Sequence, residues 1–165
     1  MAKRKPTGTP ESSRASCTCK RCVSCCEQKP GWMKPGEAER MADFLGLSLA
    51  DLFAQFLAVD WWVSTTDVFL LSPALAGEEP GTEMPYIAEG RCVFLTEAGR
   101  CRVHPVKPFE CAAAWCGDGP VRMKGSAHEQ AAEAWRPAEH QQQIASLLGH
   151  TPIAATGNPL SFLFR

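Results

Sequence analysis

The sequence lacks any apolar run approaching the ~20 residues that a membrane-spanning helix needs, and it lacks an excess of either charge. Seventeen Lys and Arg face 18 Asp and Glu, a formal net charge of −1 at neutral pH. That balance removes a global attraction to nucleic acid or to an anionic membrane. No secretory leader is expected, because Lys3, Arg4 and Lys5 are followed by polar residues from Thr7 to Ser16, where a leader would be apolar. There is no G-x-S-x-G, no phosphate-binding loop and no dinucleotide fingerprint. His128-Glu129 lacks the second His of a zincin helix, and the paired signature of zinc deaminases is absent. No internal repeat or heptad pattern is present. With 165 residues and 45% hydrophobic content, these absences leave the expectation of a soluble, cytoplasmic protein with no membrane association and no recognisable catalytic motif, so whether it is an enzyme stays open.

Cysteine is what the chain has in abundance. Nine are present, and Cys19, Cys22, Cys25 and Cys26 put four thiols in eight residues. Core packing gives no reason for such spacing, although a lone Cys often behaves as a small hydrophobe. Disulfides fit poorly, since the number is odd, Cys25 and Cys26 are adjacent, and cytoplasmic thiols stay reduced. A soft divalent metal or an iron-sulfur cluster needs thiolates converging on one point, and a C-x2-C turn supplies two of them from one short loop.

The second half adds Cys92, Cys101, Cys111 and Cys116. Taken in order, C-x2-C-x2-C-C, G-x-C-x-F-L from Gly90 to Leu95, and G-x-C-x-V-H-P-x-K-P-x-x-C from Gly99 to Cys111 resemble the YkgJ-type CxxCxxCC family, a zinc- or iron-chelating domain. The resemblance implies metal binding, with Cys19, Cys22, Cys25, Cys26, Cys92, Cys101 and Cys111 as the matching thiols. Lys107 stands where the family pattern usually has Arg, which keeps the charge but not the bidentate fork. Counting ligands leaves several centres open. Two tetrahedral zinc ions take eight ligands, or seven with a bridging thiolate, and Cys116 or His104 would supply the eighth. A [4Fe-4S] cluster takes four, and thiolates bind zinc and iron alike. Lys20, Arg21, Arg91, Arg100, Arg102 and Lys107 flank the thiols in sequence, where cations favour thiolate. Cys17 precedes the motif and reads as a spare thiol.

The fold class expected is α+β, a small single domain of several short helices, a β-hairpin and a cysteine-ligated metal centre. Residues 1–16 read as a flexible basic arm, 17–150 as the cysteine-cluster metal-binding domain, and 151–165 as a tail whose apolar Leu160, Phe162, Leu163 and Phe164 suit docking. Apolar residues at helical spacing predict a helix over 37–45, closed by Gly46, and a second one capped by Ser48 with Leu49, Leu52, Phe53, Phe56 and Leu57 as its stripe. Residues 61–71 read as extended with an interruption at Thr65-Thr66-Asp67, and 72–90 as a loop. Residues 92–95 and 101–104 suit a hairpin around Thr96 to Arg100, which would bring Cys92 and Cys101 together. Pro108 is placed to open a helix through about Trp115, and Ser126 with Glu129 forms a capping box before a helix that Pro137 breaks ahead of Ile144, Leu147 and Leu148.

The leading functional expectation is a metal-binding protein that chelates zinc or iron. An iron-sulfur redox or accessory enzyme is the alternative. A nucleic-acid-binding zinc module using Lys3, Arg4, Lys5, Arg14, Lys20 and Arg21 ranks last, because no aromatic residues interleave with those bases. A metal ion is the partner expected, nucleic acid is disfavoured, and no residue specifies a protein partner.

Overall fold

A computed structural model of the chain describes residues 23, 26–63, 66–85, 88–115, 122–123 and 127–152. The basic arm, Cys17, Cys19, Cys22, Cys25, Cys116, the Ser126 cap and the tail from residue 153 lie outside the described residues. Helix α1 (Glu37–Leu45) ends as expected at Gly46, whose left-handed φ of 69° turns its N–H back onto the Ala42 and Asp43 carbonyls. Helix α2 (Leu49–Phe56) begins where Ser48 accepts a hydrogen bond from the Asp51 N–H at 3.0 Å. Its buried Leu52 and Phe53 face α1, which buries Ala38, Met41 and Ala42.

The hairpin is not where the sequence places it. Strands β1 (Leu57–Trp62) and β2 (Val68–Pro73) pair antiparallel from Leu57↔Pro73 to Trp62↔Val68, so the interruption near residue 65 separates two strands of one sheet. Residues 92–104 form no such pair. Their pairing shrinks to a single bridge, Leu95↔Cys101, with Thr96 N–H donating to Arg100 O and Arg102 N–H to Phe94 O. The physical reason is burial, since Phe94 and Val103 are drawn into the core and the chain bends to put them there rather than running straight.

The two outer edges of the β1–β2 sheet are covered. Val59 donates to Thr82 O and accepts from Met84 N–H, while Met33 N–H donates to Leu71 O. Gln141 fills the remaining gap on β2: its amide oxygen accepts from Phe69 N–H at 3.1 Å and its amide nitrogen donates to Phe69 O at 2.9 Å. A 3-10 turn (His104–Val106) leads to a short helix, α3 (Phe109–Ala113), which stops before the expected Trp115 because Ala114–Trp115 (β3) pairs with Arg122–Met123 (β4). Helices α4 (Ala127–Trp135) and α5 (Ala138–Leu148) then pack against β2, with Pro137 between them as the sequence predicts. The architecture is α+β, and the core runs from Met33 and Met41 through Leu52, Leu70, Phe94 and Val103 to Trp135 and Ile144. Among the described residues no helix is long and apolar enough to cross a membrane.

Candidate metal centre

Four of the expected ligands are described, and they come from all three cysteine blocks. Cys26 lies in a helical turn at residues 26–28, Cys92 at a bridge to Leu75, Cys101 at the bridge to Leu95, and Cys111 in the middle of α3. Backbone bonds clasp the first two blocks: Cys92 N–H donates to Cys26 O at 2.7 Å and Gly90 N–H to Gln28 O at 2.7 Å. The third block is held from two sides. Val23 packs against the site of Gly99, and Glu110 N–H donates to Trp32 O. No disulfide joins Cys26, Cys92, Cys101 and Cys111 to one another.

The four thiols feel one another electrostatically. Burial is the main reason that the Cys92 thiol is pushed up to about 12, and the neighbouring Cys26 and Cys101 add to it. Burial likewise raises Cys111, with Cys26, Cys92 and Cys101 contributing, and burial raises Cys101 while the Lys107 charge pulls it back. The expected nearness of Cys92 and Cys101 is therefore present, without a full hairpin. Opposing burial, backbone N–H groups point at the sulfurs: Phe94 and Leu95 at Cys92, Val103 at Cys101, and Gly31 at Cys111. Such donors favour the thiolate, the form that a metal binds.

This donor chemistry fits a thiophilic metal. Without one, buried thiols with raised pKa values stay neutral; a zinc or iron ion would take their protons' place and offset their charge. Among the described residues, however, no three Cys, His, Asp or Glu side chains already stand at metal-holding distance. Cys19, Cys22, Cys25 and Cys116 lie outside those residues. His104, the other candidate for an eighth ligand, sits in the 3-10 turn, and burial followed by the Lys107 charge lowers its pKa. Arg91 donates to Leu95 O, and Arg102 lies 5.5 Å from the centre of the Phe56 ring.

Sequence reasoning missed the framework behind the thiols. Glu37 Oε2 accepts from both Lys34 N–H and Phe109 N–H, at 2.8 Å each, tying α1 to the start of α3. No sequence signal marks Gly31 as part of the site, yet a Cβ there would come within 2.8 Å of Cys111 Sγ and 2.9 Å of Cys111 N. Its lack of a side chain is what lets α3 carry Cys111 to the cluster. Gly31→Ala is therefore expected to cost about 1–3 kcal/mol of stability by overpacking and to weaken metal retention although every thiol remains. Elemental analysis after dialysis against a weak chelator, beside a urea melt, checks both parts.

The sequence comparison agrees with this geometry. The CxxCxxCC family, described as a "Putative zinc- or iron-chelating domain", matches residues 18–132. The match covers well over half of the chain, and the protein belongs to that family. No curated protein and no solved structure matches it.

Proposed function

We propose that this protein is a cytoplasmic metal-binding domain, spanning about residues 17–150, that chelates zinc or iron through one composite cysteine centre. Cys26, Cys92, Cys101 and Cys111 are the inner set, with Cys19, Cys22, Cys25 and Cys116 completing it. The observation that supports this most is the meeting of thiol-bearing segments from three separate blocks: Cys92 N–H donates to Cys26 O at 2.7 Å, the thiols of Cys92 and Cys111 feel those of the other blocks, and backbone N–H groups donate to Cys92, Cys101 and Cys111. When bound, the metal supplies positive charge that keeps the thiolates ionised and cross-links the blocks. The chain's own residues orient the sulfurs, bury them from water and take part of their charge through N–H groups. Because each thiol must lose its proton on binding, affinity is expected to rise steeply with pH.

Protein purified anaerobically without added metal should hold at least one zinc or iron per chain through gel filtration. Cys26→Ser and Cys101→Ser should lose much of it, whereas Cys17→Ser should not. Folded protein with no metal, or equal retention in all three variants, would defeat the proposal. The same preparation separates the second reading, an iron-sulfur redox or accessory enzyme: broad visible absorption that bleaches on reduction favours it, and a colourless zinc protein removes it.

A further inference from the structure

Glu110 is a carboxylate with 3% exposure, one residue before a proposed ligand on the short helix α3. Burying it is costly, and a negative charge there does nothing to favour a thiolate beside it. Its use must therefore lie in its hydrogen bonds. Those bonds go to one peptide segment. Glu110 Oε2 accepts from Trp32 N–H at 2.8 Å, and Glu110 N–H donates back to Trp32 O at 3.2 Å. The residue before Trp32 is Gly31, whose N–H donates to the Cys111 sulfur and whose missing Cβ lets the two backbones meet. Two consecutive N–H groups thus meet two consecutive side chains of α3, Trp32 with Glu110 and Gly31 with Cys111.

The segment and the carboxylate are each held from a second side. The Trp32 indole N–H donates to Asp60 Oδ2 at 2.5 Å, which fixes the ring to β1, and Lys29 Nζ balances that carboxylate at 3.1 Å. Glu110 Oε1 lies 2.5 Å from His128 Nδ1 on α4. The same imidazole packs edge-on against Trp32, with ring centroids 5.0 Å apart and planes at 74°. Its side chain is 48% exposed, so it can be altered without opening the core. The result is a strap from the sheet, through Trp32, to the helix that carries Cys111.

We propose that Glu110, braced by His128, is a positioning residue of the metal centre: it clamps the Gly31–Trp32 peptide onto α3 and so seats the Cys111 sulfur under the Gly31 N–H. The inference rests on the metal reading for its first readout and on the geometry alone for its second. Removing the clamp leaves every thiol in the chain and loosens one of them.

The first readout is the rate at which the full chain, loaded with zinc, gives its metal up to a chromophoric chelator. Glu110→Leu, similar in size but without an acceptor, should lose zinc about ten- to a hundredfold faster than the unaltered protein. Glu110→Gln keeps an oxygen for Trp32 N–H and should stay within about threefold. Repeating Glu110→Leu on Cys111→Ser separates positioning from stability. A residue that acts through Cys111 has nothing further to change once that thiol is gone, whereas a merely structural one speeds loss by the same factor in both backgrounds. The second readout needs no metal: iodoacetamide labelling of the folded protein as purified, followed peptide by peptide. Labelling of Cys111 relative to Cys101 should rise about tenfold in Glu110→Leu and stay unchanged in Glu110→Gln. If Glu110→Leu fails to fold, His128→Ala carries the same comparisons, with a smaller shift in the same direction. Folded protein that holds no zinc defeats the metal reading, and the labelling ratio then decides this inference alone; it also decides if Cys111→Ser retains no zinc. An unchanged labelling ratio, Glu110→Gln as damaging as Glu110→Leu, or equal acceleration of zinc loss in the Cys111→Ser background would each overturn the proposal.

Discussion

Stripping the metal under reducing conditions is expected to release the segment from Cys92 to Cys111 while the helices behind it persist. Sixty-five residues separate Cys26 from Cys92, and closing a loop of that length costs about 4 kcal/mol in chain entropy. The segment has little regular structure to offset this: single bridges at Cys92 and Leu95↔Cys101, a three-residue 3-10 turn and a five-residue helix. A structural thiolate site contributes ~10–16 kcal/mol in zinc-finger peptides, which is comparable with the ~5–15 kcal/mol that holds a whole domain. Amide exchange around Cys92 to Cys111 should therefore accelerate by roughly a hundredfold or more after chelation. Helix α5 should change least, because it packs on β2, whereas α4 also packs on α3, the helix that carries Cys111, and should loosen in part. Unchanged protection in demonstrably metal-free protein would instead make the cysteines a loading site on a preformed scaffold.

The second large effect belongs to Trp135. Its side chain is 1% exposed and closes the core between α4 and the sheet, and its indole N–H donates to Met33 O at 2.7 Å. Met33 in turn donates its N–H to Leu71 O, so one indole ties the last helices to the edge of β2. Trp135→Ala removes a fully buried aromatic and should cost ~3–5 kcal/mol. For a chain of this size that corresponds to a fall in Tm of roughly 10–20 °C. Trp135→Phe keeps most of the apolar area but strands the Met33 carbonyl, a loss of about 1–3 kcal/mol. Urea melts separate the two, and equal midpoints for both variants would show that the hydrogen bond, not the packing, dominates.

Local signals were legible where one residue type carries them. Gly46 and Ser48 marked the boundary between α1 and α2 because a left-handed turn and a hydroxyl cap each have few substitutes. The β1–β2 pairing escaped because both strands are almost wholly buried, so they show continuous apolar runs instead of the alternation that marks a half-exposed hairpin. Spacing sorts the thiols into blocks, and in the fold Cys92 and Cys111 feel the thiols of the other blocks. Gly31, Asp60 and Glu110 were not legible, since their meaning arises only from contacts across 28 to 80 residues of chain.

The gathering of thiols from distant blocks also sets a timetable for synthesis. Cys26 leaves the ribosome 85 residues before Cys111, a wait on the order of 4–17 s at ~5–20 residues per second. During that interval the first thiols are exposed and without their later neighbours, while α1, α2 and the β1–β2 hairpin already have their local partners. Early thiols in this state are open to oxidation and to capture of whichever soft metal is most available. If the protein chelates metal as proposed, the identity of that metal would be decided partly by the order of emergence and not by affinity alone. Refolding the complete chain in mixed zinc and iron should consequently give a different metal ratio from that of protein made in the cell.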